Sequence, residues 1–255
     1  MEKMCLSIDW DFFTPGAAEV WEDSPIDESL HYLWASWKDE DRILLADRIK
    51  SVGVDGFWQW LSKWFVLTPG RQALLSESHA AMHDLLTEKH GTLILFDSHH
   101  DCYYLSDWDG ASIDCGNWGT HWLRKCNRNG RVIWVSQLKK KHRSTIVGRV
   151  EGDLRRRVVK ACSLKEAEQT FDAFCKKAGG RIRLDFIHIC RSGCWAPPWA
   201  DKDFLKFIKD SKLDCQITKK EKLWDKRWNP MLDRWRHDKM HKLYEELRRE
   251  EHSEY

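Results

Sequence analysis

The chain has 255 residues, 42% hydrophobic and 32% charged, with 14 Gly and 6 Pro, a balance that excludes collagen-like, low-complexity and disordered chains and is ample for a sizeable core. Lys and Arg number 42 against 40 Asp and Glu, a formal net charge of +2, too small for a nucleic-acid or membrane-surface footprint without strong local clustering. No apolar run approaches the roughly 18 residues of a membrane span, so neither nucleic acid nor membrane is expected as a partner.

The elements are expected in this order. A first buried strand covers Cys5–Asp9, followed by helical patterns over Ser29–Lys50, Gly56–Phe65 and Ser78–Lys89. Further apolar runs at Thr92–Asp97, Arg131–Ser136 and Leu184–Cys190 read as strands covered on both faces, with a helix over Leu164–Ala178 between the last two. The basic stretch Lys139–Arg157, relieved only by Glu151 and Asp153, reads as a solvated connection. In the tail, Lys219–Tyr255, the spacing of Trp224, Trp228, Leu232 and Trp235 predicts a helical stripe docked on the domain or on a partner. Strands alternating with helices imply an α/β class, a mostly parallel sheet with helices on both faces, in a single domain over residues 1–255.

Two compositional features bear on function. The 16 Trp outnumber the 10 Phe and 5 Tyr together; such rings serve core and rim packing, or broad recognition of peptides, sugars or bases. The 9 cysteines are odd in number, no C-x-x-C pair occurs and the chain opens without an apolar leader, which fits a reduced, cytoplasmic protein.

The strongest chemical signal is Asp97-Ser98-His99-His100-Asp101, where the strand over Thr92–Asp97 runs out. In an open parallel sheet ligands bind beyond the carboxyl ends of the strands. In an extended segment Asp97, His99 and Asp101 would face one side, giving two carboxylates and an imidazole, a donor set for a hard divalent cation, Mn²⁺ rather than structural zinc. Capping and turn chemistry is the plainer alternative. Ser7-Ile8-Asp9-Trp10-Asp11 repeats the pattern at the end of the first strand. Unmetallated, the four carboxylates would raise one another's pKa; two divalent cations would balance them.

These two segments resemble the D-x-H-x-D and S-x-D-x-D motifs of the arginase and agmatinase (ureohydrolase) superfamily. The variants S-I-D-W-D-F-F, F-D-S-H-H-D and R-S-G-C-W-A-P-P-W further resemble its branch containing the peptide arginases, which convert arginine residues of ribosomally made peptide natural products into ornithine. The resemblance implies an arginase-like three-layer fold, permuted because S-x-D-x-D comes first here, and two Mn²⁺ ions. It also implies a further histidine ligand at a helix start upstream of D-x-H-x-D, for which His79 is the match and His83 the alternative. One ion would then take His79, Asp97, Asp101 and a shared Asp9, the other Asp97, His99, Asp9 and Asp11.

The segment Cys115-Gly116-Asn117-Trp118-Gly119-Thr120-His121 is similar to the family's S-G-N-x-H, making His121 the candidate proton shuttle that protonates the leaving amine, with His100 next in line. The resemblance implies a water activated by two metals attacking a guanidinium, releasing urea. Free-arginine enzymes carry an Asn two residues after the motif, where this chain has Tyr103 followed by Tyr104; with Trp108, Trp118, Trp195 and Trp199 in pocket loops, an arginine-containing peptide is the expected substrate. Asp201, after the stiff Pro197-Pro198 pair, is a candidate grip for the guanidinium or a scaffold residue, and Glu22, Asp23, Asp107 and Asp109 are the alternatives. A small-molecule ureohydrolase, a single-zinc deacetylase and a non-catalytic Trp-rich peptide-binding module are the competing readings.

Overall fold

The first strand, β1 (Met4–Asp9), lies at the middle of a seven-stranded sheet in which every pairing is parallel. The computed structural model describes residues 3–15, 49–102, 113–126, 130–139, 143, 150, 154–192, 195–197 and 200–217. The remaining strands are β2 (Gln72–Ser76), β3 (Thr92–Phe96), β4 (Arg131–Val135), β5 (Val158–Cys162), β6 (Phe186–Cys190) and β7 (Asp214–Ile217), in the order β5-β4-β3-β1-β6-β2-β7. The four apolar runs are β1, β3, β4 and β6, the inner strands flanking or forming the centre. β2, β5 and β7 carry Gln, Lys and Asp within short segments and give no buried-strand pattern; β5 and β7 are the edges, where one side of the strand is unpaired.

Alternation along the strands splits the core in two. On one face Leu6, Ile8, Ile94, Phe96, Ile187 and Ile189 are covered by three helices, α1 (Phe57–Leu61), α4 (Leu164–Ala178) and α5 (Asp201–Ser211). On the other, Cys5, Leu93, Leu95 and Trp134 are covered by α2 (Met82–Leu85) and α3 (Trp118–Lys125). Helices therefore lie on both faces, as the α/β reading requires. α4 matches its predicted bounds because both ends are written locally: Ser163 accepts from Glu166 N while Glu166 accepts from Ser163 N, and Gly179 closes the helix at φ 72°.

The helix expected over Ser78–Lys89 is instead a 3-10 turn at His79–Ala81 running into the four-residue α2, and Leu86 turns extended. Of the Ser29–Lys50 helix only the last two residues are described, and the Lys219–Tyr255 stripe and most of the Lys139–Arg157 stretch lie outside the described residues. No helix among the described residues is long and apolar enough to cross a membrane, and the described cysteines are free thiols.

The strand order reverses at β1. The chain leaves β1 for β2 on one side and returns to β3 on the other. Connections that diverge in this way open a crevice beyond the carboxyl ends of the strands, and there the acidic segments lie.

Candidate metal centre

β1 ends by turning into a 3-10 helix at Trp10–Phe13, capped by Asp9, whose carboxylate accepts from Asp11 N at 3.1 Å. The turn carries Asp11 toward the segment after β3. There Ser98 N donates to Asp11 Oδ1 at 3.0 Å, Ser98 Oγ donates to Asp11 O at 3.0 Å, and His99 Nδ1 lies 3.1 Å from Asp11 Oδ2.

The segment Asp97–Asp101 is a run of bends, not the extended stretch that strict alternation assumes. His99 N donates to Asp97 Oδ1 at 2.7 Å, Cys102 N donates to His100 Nδ1 at 2.9 Å, and Asp101 takes a left-handed φ of 52°. Turn chemistry and convergence of donors therefore hold at once. The bends fold Asp97, His99 and Asp101 into one cluster while turning His100 away against Trp134, with ring centroids 5.5 Å apart.

His79 completes the cluster. Ser78 caps its short turn by accepting from Ala80 N, and the imidazole enters below the carboxylates, where Nδ1 stands 3.0 Å from Asp9 Oδ2, 2.9 Å from Asp97 Oδ2 and 2.8 Å from Asp101 Oδ2. None of these approaches has hydrogen-bond geometry: His79 Nδ1 and Asp97 Oδ2 are buried without a hydrogen-bond partner. Unpaired polar atoms of this kind are costly, and a cation among them would satisfy both. Among the described residues two groups are compact enough to hold one, Asp9–His79–Asp97 and Asp11–Asp97–His99; Asp97 belongs to both and Asp101 to neither.

The electrostatics agree with this geometry. Burial, then the charge of Asp11, pushes Asp9 up to about 6. Burial and the carboxylates of Asp101, Asp11 and Asp9 hold Asp97 well above the usual range. Burial opposes charge on His79 and His99 as well, but the surrounding aspartates outweigh it and raise both, His79 strongly. Asp11 goes down instead, because the His99 ring and the Ser98 N–H overcome its burial. Protons are thus held where cations would otherwise neutralise the carboxylates.

Two tryptophans brace the ligands from behind. Trp118 Nε1 donates to Asp101 Oδ2 at 2.7 Å and Trp134 Nε1 donates to Asp97 O at 2.9 Å. Trp118 is buried on α3, so it supports the cluster from within instead of lining a pocket loop. Gly119 beside it permits the contact: its N–H donates to Asp101 O at 2.8 Å, and a Cβ there would meet that oxygen and Cys102 Sγ at 2.6 Å.

The other candidates are placed as follows. Trp195 packs on His99, centroids 5.1 Å apart, and His99, with 19% of its side chain exposed, is the most open of the six clustered side chains. His121 lies one helical turn beyond Trp118, its ring 6.1 Å from that of His83 and its Nε2 buried without a hydrogen-bond partner. Burial and then the neighbouring His83, Arg124 and Lys125 lower its pKa. His83 is held between Asp84 and Lys125, at 3.1 and 2.7 Å, and belongs to neither cation-sized group. Asp201 does bind a guanidinium, that of Arg191, through Nε at 3.0 Å and Nη2 at 2.8 Å, while Glu77 takes Nη1. Tyr103, Tyr104, Trp108, Trp199, Glu22, Asp23, Asp107 and Asp109 lie outside the described residues.

Ser7, the first residue of the S-x-D-x-D segment, and His188 join the site without being expected there: Ser7 Oγ lies 2.7 Å from His79 Nε2 and 2.8 Å from His188 Nδ1. The available clue is a lone histidine inside the apolar strand F-I-H-I-C. Compared with known proteins, the chain matches no protein-family model, no curated protein and no solved structure.

Proposed function

We propose that the cluster is a dinuclear metal centre and that the protein hydrolyses the guanidinium of arginine residues within a peptide, giving ornithine and urea. The observation that carries this reading is Asp97, common to two adjacent cation-sized groups, one completed by Asp9 and His79, whose Nδ1 has no hydrogen-bond partner, the other by Asp11 and His99. Two divalent cations held there, Mn²⁺ by the oxygen-rich donor set, would activate a water for attack on carbon. His79, Asp9, Asp97 and Asp101 would hold one ion, and His99, Asp11, Asp97 and Asp9 the other. The donor pattern, with the motifs that carry it, is also the basis of the likeness to an arginase-like fold of permuted strand order.

The remaining residues act on substrate and proton. Negative charge in the cluster favours a cationic group, and Trp195 against His99 supplies an aromatic wall at the least buried ligand. His121, neutral near pH 7 because its pKa is lowered, would take up the proton released by the attacking water at Nε2 and return it to the leaving amine. Tyr103 in place of a polar clamp fits an arginine borne on a longer chain, with remote contacts orienting the guanidinium.

The test is metal analysis of the purified protein together with mass spectrometry of an arginine-containing peptide competed against free arginine and agmatine. Two ions per chain and preferential loss of CH2N2 per arginine from the peptide are expected. Preference for free arginine or agmatine would leave a small-molecule ureohydrolase; one ion per chain and no loss would leave a deacetylase-type site; no ion at all would leave a Trp-rich binding module.

A further inference from the structure

Behind His79 the adjacent strands β1, β6 and β2 place a second histidine where no solvent reaches. Ser7 of β1 and His188 of β6 are register partners, and His188 also pairs with Leu74 of β2, two residues before Ser76. All three polar side chains therefore rise from the same face of the sheet at neighbouring positions. Ser7, Ser76 and His188 are 0%, 2% and 0% exposed, so bulk water does not reach them and their hydrogen bonds must close on one another and on neighbouring protein groups.

One bond in this chain has a fixed direction. Ser76 Oγ donates to the carbonyl of Ser78 at 2.9 Å, because a carbonyl can only accept. A hydroxyl has a single proton. Ser76 Oγ must then accept from His188 Nε2, 2.8 Å away. A neutral ring protonated at Nε2 has its lone pair on Nδ1, so Ser7 Oγ donates to His188 Nδ1 at 2.8 Å. The Ser7 proton is thereby committed, and its oxygen accepts from His79 Nε2 at 2.7 Å. The His79 ring, stacked on that of His188 with centroids 5.5 Å apart, keeps its proton on Nε2 and directs Nδ1 at Asp9, Asp97 and Asp101.

We infer that His188 is a positioning residue: through Ser7 it fixes the tautomer and orientation of His79 that leave Nδ1 free to ligate a cation. This deepens the metal-centre reading and rests on it. Complete burial of His188 favours the neutral ring, which keeps an acceptor nitrogen. Without that acceptor, the Ser7 hydroxyl is free to donate to His79 Nε2, and the ring proton moves to Nδ1, where it competes with the cation. Outer partners of ligating histidines typically alter metal affinity by about 10- to 100-fold when lost.

Calorimetric titration with Mn²⁺ of the metal-free full chain tests this. His188→Phe keeps a flat ring without an acceptor, and the expected result is a loss of affinity of about 10- to 100-fold. His188→Gln, whose amide can accept from Ser7 and donate to Ser76, is expected to recover most of it. Ser76→Ala, which frees the far end of the relay, reads the same effect should His188→Phe fail to fold. In parallel, ¹⁵N spectra of histidine-labelled wild type are expected to show one deeply buried neutral ring protonated at Nε2. Folded His188→Phe or Ser76→Ala with wild-type Mn²⁺ affinity would overturn the inference, as would a His188 protonated at Nδ1. Absence of Mn²⁺ binding by the wild type would defeat the metal-centre reading itself, while the spectra would still decide the direction of the relay.

Discussion

Trp118 Nε1 donates to the same oxygen of Asp101 that stands 2.8 Å from His79 Nδ1. That oxygen has lone pairs for both a hydrogen bond and a cation, so the indole orients the carboxylate without using up its capacity to bind. Trp118→Phe keeps the buried ring and removes only the donor. Mn²⁺ affinity is expected to fall by about tenfold at nearly unchanged fold, since losing a partner of a ligand costs on that order; an unaltered titration would show that Asp101 needs no orienting.

Asp97 is predicted to be indispensable for metal and harmful without it. In Asp97→Asn the amide oxygen can still accept from His99 N, but the shared carboxylate is gone. Metal content should drop from two ions per chain to less than one and turnover should vanish. The metal-free variant should melt above the metal-free wild type, because a buried carboxylate repelled by Asp101, Asp11 and Asp9 has been neutralised. Wild-type metal content would contradict the assignment.

The metal-free protein should lose stability as pH rises above 6.5. Groups whose folded pKa is raised contribute stability that is fully present below their unfolded value and lost as pH climbs through the folded one. Asp97, His79 and His99 are all raised, and Asp9, at about 6 against 3.8, has the same sign. His188 and His121, lowered, act oppositely but only below the ordinary histidine value of 6.5. Melts in chelator from pH 6.5 upward should therefore show a falling Tm, restored by Mn²⁺, whose affinity rises as protons leave its ligands. A flat profile would mean that the cluster is not strained.

His121→Ala is expected to retain both ions, since the ring lies against His83 and outside both cation-sized groups. Turnover should slow by roughly 10²- to 10⁴-fold if its Nε2 carries the proton. An undiminished rate would move the proton transfer to another group.

The legible parts of this molecule are those written by neighbours in sequence. Leu93–Phe96 is apolar throughout because both faces of its strand are covered, and Asp97, His99 and Asp101 follow within a few residues. β2 carries no legible strand pattern because Gln72 and Ser76 bound an apolar run as short as Ala73–Leu75, and Ser76 is polar for a reason that lies 112 residues away, on His188. His188 and the grip of Glu77 on Arg191 are likewise products of strand order, which no local pattern carries. His79 was legible through its helix-opening position, although the helix proved to be a short turn.

The central place of β1 has a consequence for assembly. Taking it away would divide the sheet into β5-β4-β3 and β6-β2-β7, with no strand pairing left between the two halves. Asp9 and Asp11 come from the segment that joins them, Asp97 and Asp101 from one half and His79 from the other. The cluster therefore cannot pre-exist in either half, and its closure waits on contacts as distant in sequence as the 181 residues between Ser7 and His188, which are slow to form. In a refolding experiment, capture of a cation should be among the last events, arriving with the entry of the N-terminal strand rather than with the growth of helices.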